Sequence, residues 1–363
     1  MTAAAAPLKI RSGVREAAPY VPDWLGLDRH NYVRLDRNEA TRPLSPHAIE
    51  AVTNHLHDRG MHSYPDGEGL TDAIGQYCGV PGGHILATNG SDQAIDLCLR
   101  AFLGPGDTVV MARPEFPVFG HVAALAEAVV RGVPYNDDLT FPYERFERAL
   151  ERTPKLIVLI NPNNPTGTHI DLAFIEQVVR THPDVPVIVD EAYFEFTGRT
   201  VAPLTAKYDN LLVIRTFSKA FAMAGMRLGY VVAHPGVITQ LAKMRNPFDV
   251  NSLAMVAAKA QLAHVDEIRA YVDEVMLAIK PSAVNFFSER GVAFWPGAAN
   301  FVLVRPSNCQ AVVVELKAAG ILVRPITATP LAGTFRMSMG TQEEMTRVFD
   351  VLDGLSFLRK AEA

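Results

Sequence analysis

Cysteine is scarce: Cys78, Cys98 and Cys309 are the only three in 363 residues, and no two form a CxxC pair. An odd, unpatterned set argues against a disulfide framework or a structural zinc site and points to a reducing compartment. Basic clusters are missing too. The formal net charge is -5 with Lys and Arg scattered along the chain, whereas a nucleic-acid surface needs concentrated cations. No apolar run approaches the roughly 18–20 residues that span a bilayer. Met1–Pro7 lacks the charged region and apolar core of a signal peptide. Repeats and low-complexity tracts are absent. These absences leave a soluble, cytoplasmic protein with no metal, nucleic-acid or membrane partner.

What is present is ordinary globular composition, with 48% hydrophobic and 20% charged residues. A chain of this length is long for one core and favours a large and a small domain. The first forty residues read as an extended, proline-punctuated arm ending in Val33-Arg34-Leu35-Asp36. Buried strands are expected at Ile85–Thr88, Thr108–Ala112, Leu156–Ile160, Pro186–Val189, Leu211–Ile214 and Leu228–Ala233. Helix-period segments such as Asp92–Leu103 and Asp171–Thr181 lie between them. The alternation predicts an α/β fold with a mostly parallel sheet covered by helices on both faces. After Pro247 a long helical region from about Asn251 to Glu289 is expected. Strands at Asn300–Val304, Ile321–Arg324 and Phe335–Met339, helix Gln310–Ala319 and a last helix through Leu358 follow, as in a small α+β domain. The expected division is an arm over residues 1–45 belonging to the small domain, a large domain over 46–248, and a small domain over 249–363.

Four polar clusters each follow a buried strand directly: Asn89-Gly90-Ser91-Asp92, Asn161 to Gly167, Asp190-Glu191-Ala192-Tyr193 and Thr216-Phe217-Ser218-Lys219. Ligands of open α/β sheets bind beyond the carboxyl ends of the strands, so four such clusters at one edge amount to a site. Gly90-Ser91-Asp92 opens a helix, where free N–H groups favour an anion; a plain helix cap is the simpler alternative. Asp190 follows an apolar strand and needs a cation, either a salt-bridge partner or a protonated ring nitrogen. Lys219 stands among Phe217, Ala220 and Phe221, which favours a lowered pKa suited to imine formation; a lysine simply solvated at a strand end is the alternative. Arg227, eight positions on, offers a guanidinium to the same anion as Ser91 and Ser218.

Asn163-Asn164-Pro165-Thr166-Gly167, Asp190-Glu191-Ala192-Tyr193 and Ser218-Lys219-Ala220-Phe221 with Gly225-Met226-Arg227-Leu228-Gly229 resemble the fold-type I aminotransferases of class I/II. Within them the chain is most similar to the histidinol-phosphate aminotransferase branch. That resemblance runs from Pro19-Tyr20 through Asp36-Arg37-Asn38-Glu39, Tyr64-Pro65 and Gly90-Ser91-Asp92 to Phe335-Arg336-Met337-Ser338-Met339-Gly340. It implies pyridoxal 5'-phosphate as cofactor, held by Lys219 as a Schiff base, with Lys219 also moving the substrate proton. Asp190 would keep the ring nitrogen protonated, and Tyr193 and Asn164 would bond the ring's 3-oxygen. Ser91, Asp92, Ser218 and Arg227 would hold the phosphate, with Gly90 permitting close approach and Thr216 also at the cofactor, and Phe116 would stack on the ring unless it is only a core aromatic. Tyr64 matches a tyrosine that reaches the neighbouring subunit's phosphate, implying a homodimer.

For the substrate, the resemblance implies Arg336 on a carboxylate, Asn164 beside it, and Tyr20 with Arg324 at the distal phosphate end; either of the last two also reads as a packing or salt-bridge residue. The expected reaction is transamination between an amino donor, histidinol phosphate foremost, and 2-oxoglutarate. An aromatic or specialised amino acid aminotransferase is the alternative, and a threonine-phosphate-type decarboxylase of the same fold a second one. Arg37, where relatives carry a small or amide residue, favours an acidic substrate or is simply solvated.

Overall fold

The computed structural model describes residues 9–19, 23–67, 69–356 and 358. Two sheets organise them. Strand β1 (Val33–Leu35) belongs to the second; the first comprises β2 (Ile85–Thr88), β3 (Thr108–Arg113), β4 (Val129–Pro134), β5 (Leu156–Ile160), β6 (Val187–Asp190), β7 (Leu211–Thr216) and β8 (Gly229–Ala233). Their spatial order is β2-β8-β7-β6-β5-β3-β4. Pairing is parallel from β7 through β4, and β8 alone runs antiparallel to both its neighbours. Every residue of β5, β6 and β7 is buried, as expected of strands covered on both faces. Alternate side chains serve the two faces. Ile157 and Leu159 of β5 pack with Phe146, Phe174 and Ile175 of two helices, while Leu156, Val158 and Ile160 pack with Ile95, Leu99 and Phe119 of two others.

The second sheet adds β9 (Ala293–Trp295), β10 (Phe301–Arg305), β11 (Ile321–Ile326) and β12 (Thr334–Ser338), in the order β1-β11-β12-β10-β9. The early segment thus enters as a strand parallel to β11, with Val33 opposite Ile321. Helices Cys309–Ala318 and Gln342–Asp353 cover this sheet. The second opens with a capping box in which the Thr341 hydroxyl accepts from the Glu344 N–H and the Glu344 carboxylate accepts from the Thr341 N–H.

Four features depart from the sequence expectation, the short edge strand β9 (Ala293–Trp295) among them. The N-terminal segment is not extended throughout: Ser12–Glu16 is a short helix whose Ser12 hydroxyl donates to Glu127 at 2.7 Å. Strand β4 was not anticipated because it is an edge strand with an exposed Val129 and mixed Arg131, Gly132 and Pro134. The helical region after Asn251 breaks at His264, which leaves helical geometry, and passes through a π-helical turn at Glu274–Ile279 before Lys280–Glu289. Lys280 follows that turn, 5% exposed. It donates to the Gly297 and Ala299 carbonyls at 2.9 and 2.6 Å, and burial pushes it down to about 7. The segment it holds crosses to the first sheet, where the Ala298 N–H donates to Gly167 O at 2.7 Å. Among the described residues, no helix is long and apolar enough to cross a membrane.

Candidate active site

Register brings the polar clusters together. Ile160, Asp190 and Ile214 lie side by side across β5, β6 and β7. Thr216 and Thr88 both pair with Gly229 of β8. The four clusters therefore emerge at one edge, as the alternating pattern predicts.

The helix Gly90–Phe102 starts against β8. A Cβ on Gly229 would lie 2.4 Å from the Ser91 nitrogen, and one on Gly90, at φ +78°, would lie 2.6 Å from Arg227 Nη2. Glycine at both positions lets the helix end, with its free N–H groups, sit beside that guanidinium. Arg227, itself left-handed at φ +55°, donates to the Asp92 carboxylate at 2.9 Å. Ser218 is nearly buried; its N–H donates to Thr216 Oγ1 at 3.1 Å, and that hydroxyl donates to Ser218 Oγ at 3.0 Å. Helix N–H groups, two hydroxyls and a guanidinium at this edge are groups that could hold an anion.

Beside it lies a carboxyl in an unfavourable place. Asp190 is 3% exposed and accepts from the Ala192 N–H at 3.0 Å. No described cation forms a salt bridge with it. Burial, with smaller contributions from Asp92 and Glu191, pushes its pKa up to about 7. The neighbouring strand ends use the opposite face for a buried pair that sequence reasoning missed: Arg215 grips Glu191 at 2.8 and 3.0 Å, with both side chains about 1% exposed or less. Glu191 is thus occupied, and Asp190 is the carboxyl left to face the site.

Lys219 Nζ donates to the Arg37 carbonyl at 2.9 Å and stands 5.8 Å from the centre of the Tyr193 ring. Burial first, then the nearby positive charge of Arg336, lowers its pKa to about 8. The Tyr193 hydroxyl accepts from Asn164 Nδ2 at 3.3 Å and from Asn38 Nδ2 at 2.8 Å. The other end of the Asn164 amide accepts from Arg336 Nη1 at 2.5 Å, and Arg336 Nη2 donates to Asp36 O at 2.6 Å. One network thus joins Tyr193, Asn164 and Arg336 across the two sheets. Asn38 was not assigned a role from the sequence; its only signal was its place in Asp36-Arg37-Asn38-Glu39.

Arg324 and Arg336 face each other across β11 and β12, so their side chains leave the same face of the sheet. Arg324 is ion-paired to Asp23 at 2.8 Å. Arg37 is not merely solvated: Nη2 donates to Asp23 O at 3.0 Å, and Nε lies 3.6 Å from the Asp36 carboxylate. Phe116 caps the helix Pro117–Leu125, half-buried, in a loop tied to the Asn164 loop by Asn163 Nδ2 donating to Pro114 O at 3.0 Å. Tyr64 stands apart, 79% exposed and stacked on Phe248 at 4.3 Å. Tyr20 lies outside the described residues.

Residues 30–352 match the family model for aminotransferase class I and II. The chain is 35% identical to the histidinol-phosphate aminotransferase of Roseiflexus castenholzii, over 94% of this chain and 97% of that one. It is 32% identical to the dihydroxyacetone phosphate transaminase of Campylobacter jejuni, over 94% and 95%. Its backbone superposes on the histidinol-phosphate aminotransferase of Sinorhizobium meliloti, solved in complex with pyridoxal-5'-phosphate, with a TM-score of 0.84 at 25% identity, covering 95% of this chain and 97% of that one. The chain belongs to the class I and II aminotransferases.

Proposed function

We propose that this aminotransferase uses pyridoxal 5'-phosphate to move an amino group between histidinol phosphate and 2-oxoglutarate. The observation that carries the cofactor reading is that one sheet edge brings together a buried Asp190 with no salt-bridge partner among the described residues, a Lys219 amine lowered to about 8, and the helix end beside Arg227. These residues fit the group. The N–H groups of Gly90, Ser91 and Asp92 with Thr216, Ser218 and Arg227 hold its phosphate, and Asp190 supplies the anion that keeps its ring nitrogen protonated. Bound there, the cofactor supplies a ring that accepts the electrons left when the donor's Cα–H bond breaks.

The chain's own residues do the rest. Asn164 and Tyr193 bond the ring's oxygen, and Phe116 packs on the ring face. Lys219, basic near neutral pH, would move the proton from the donor's amine-bearing carbon to the cofactor's C4′ in the first half-reaction, and from C4′ to the acceptor's carbonyl carbon in the second. Arg336 binds the carboxylate of 2-oxoglutarate, while Arg324 with Tyr20 binds the distal anion. Two arginines on one sheet face suit this pair of molecules, because histidinol phosphate has a phosphate and no carboxylate while 2-oxoglutarate has two carboxylates. In this reading residues 1–45 and 249–363 form the small domain, residues 46–248 the large cofactor-binding domain, and the enzyme works in the cytoplasm.

Incubation with amino donors and 2-oxoglutarate tests the reaction: glutamate appears with histidinol phosphate, whereas CO2 release would mark a decarboxylase. Arg324→Gln should raise KM for histidinol phosphate by roughly 30- to 150-fold, the loss of one charge-assisted contact of about 2–3 kcal/mol. KM for phenylalanine should change little. Equal effects on both donors would replace the phosphorylated substrate with an aromatic one. A second reading, a phosphorylated ketone as acceptor, is favoured by the Campylobacter jejuni relative. Consumption of dihydroxyacetone phosphate in preference to 2-oxoglutarate would select it.

The same reading makes the enzyme a homodimer in which Tyr64 completes the neighbouring phosphate site. Its support is a large aromatic 79% exposed and stacked on the exposed Phe248. Mixing Tyr64→Phe with Lys219→Ala subunits should yield hybrids with one intact site, about a quarter of all sites after random exchange. No gain over the parents despite proven exchange would place Tyr64 outside the site.

A further inference from the structure

Asp23 stands where the distal group of a substrate is expected, and it is held there from several directions. Its carboxylate is 2.8 Å from Arg324 Nη1. The next residue, Trp24, adopts a left-handed φ of +60° and donates its indole N–H to the Val323 carbonyl at 3.3 Å, with the Lys317 ammonium 4.7 Å from its ring centre. Asp23 and Trp24 thus contact consecutive residues of β11. From the other side Arg37 donates to the Asp23 carbonyl at 3.0 Å. Tryptophan's anchoring and two backbone contacts make this more than a chance meeting of long side chains on a surface.

We infer that Asp23 is a specificity-determining residue whose carboxylate competes with the distal anion of the substrate for Arg324. This rests on the proposed role of Arg324. The competition discriminates by charge. A phosphate dianion presents more charge and more acceptor oxygens to the guanidinium than the carboxylate it displaces. A carboxylate merely replaces like with like and gains little. A donor with a neutral side chain leaves the pair in place. The released Asp23 carboxylate, already about one-third exposed, passes into water at small cost. Because donor and acceptor use the same pocket in turn, lowering the affinity of Arg324 for every anion also helps the product leave. An unopposed Arg324 would hold phosphates and carboxylates alike.

The test uses the cofactor-saturated enzyme with inorganic phosphate as the probe, inhibiting competitively against histidinol phosphate. Asp23→Asn should lower the inhibition constant of phosphate roughly two- to fivefold, the range of a partly exposed ion pair. It should lower KM for histidinol phosphate by a similar factor and raise kcat no further. Asp23→Glu, which keeps the charge, should behave like the wild type. In an Arg324→Gln background, Asp23→Asn should have no further effect. If Arg324→Gln weakens phosphate inhibition but Asp23→Asn leaves it unchanged or weakens it as well, the competition is wrong while the role of Arg324 stands. If Arg324→Gln does not change phosphate inhibition, the role of Arg324 falls, and the competition with it.

Discussion

Replacing Lys219 by alanine should lower turnover by about 10⁴-fold or more, because the same amine is both the cofactor's attachment and the general base. Cofactor should still bind, since the anion-holding groups and Asp190 are untouched. Lys219→Arg separates the possible causes of failure. Arginine keeps a positive charge within reach of the Arg37 carbonyl and the Tyr193 ring, yet it stays protonated at every accessible pH and forms no imine. The arginine variant should therefore be nearly as inactive as the alanine variant. Recovery of substantial turnover with arginine would show that charge rather than basicity is what position 219 supplies. Steady-state glutamate formation, with cofactor content measured on the same samples, decides between these outcomes.

Asp190→Asn should lower turnover by roughly 10²–10³-fold, a loss of about 3–4 kcal/mol of electrostatic stabilisation, and should make the cofactor-free protein more stable. The two effects share one cause. The Asp190 carboxyl is buried and its pKa is raised to about 7. A raised acid contributes stability that is complete below its unfolded pKa and is lost as pH rises through the folded one. The wild-type cofactor-free protein should therefore lose stability between about pH 4 and pH 7 through this group. Asparagine does not titrate, so its advantage should be small at pH 5 and grow to roughly 1–3 kcal/mol by pH 8. Thermal unfolding of both cofactor-free proteins at the two pH values measures the difference. An equal destabilisation at both pH values, with activity retained, would mean that Asp190 is an ordinary core polar residue.

The sheet edge was legible because fully buried parallel strands leave short apolar runs, and the polar residues that end each run stand out against them. Val187-Ile188-Val189 followed by Asp190, and Leu211–Ile214 leading to Thr216 and Lys219, are such transitions. Strand β4 was illegible for the converse reason, since an edge strand with Arg131, Gly132 and Pro134 has neither a continuous run nor clean alternation. The break at His264 was hidden by helix-forming residues on both sides. Pairings between distant segments left no local trace at all. Asn38 meets Tyr193 across 155 positions, and Arg324 meets Asp23 across the two ends of the chain. Arg336 was assigned to a carboxylate from its resemblance alone; its bonds to Asn164 and to the Asp36 carbonyl become visible only when the two sheets come together. Lys280 carried no sequence signal of its own, and only the fold reveals it as buried between two carbonyls.

The most direct measurement is borohydride reduction of the enzyme purified with its cofactor, followed by peptide mapping. Reduction should bleach the yellow colour and leave the phosphopyridoxyl group on the peptide containing Ser218-Lys219-Ala220, with the label absent from Lys219→Ala. A stable label on any other lysine, or none on a protein saturated with cofactor, would contradict the assignment of Lys219.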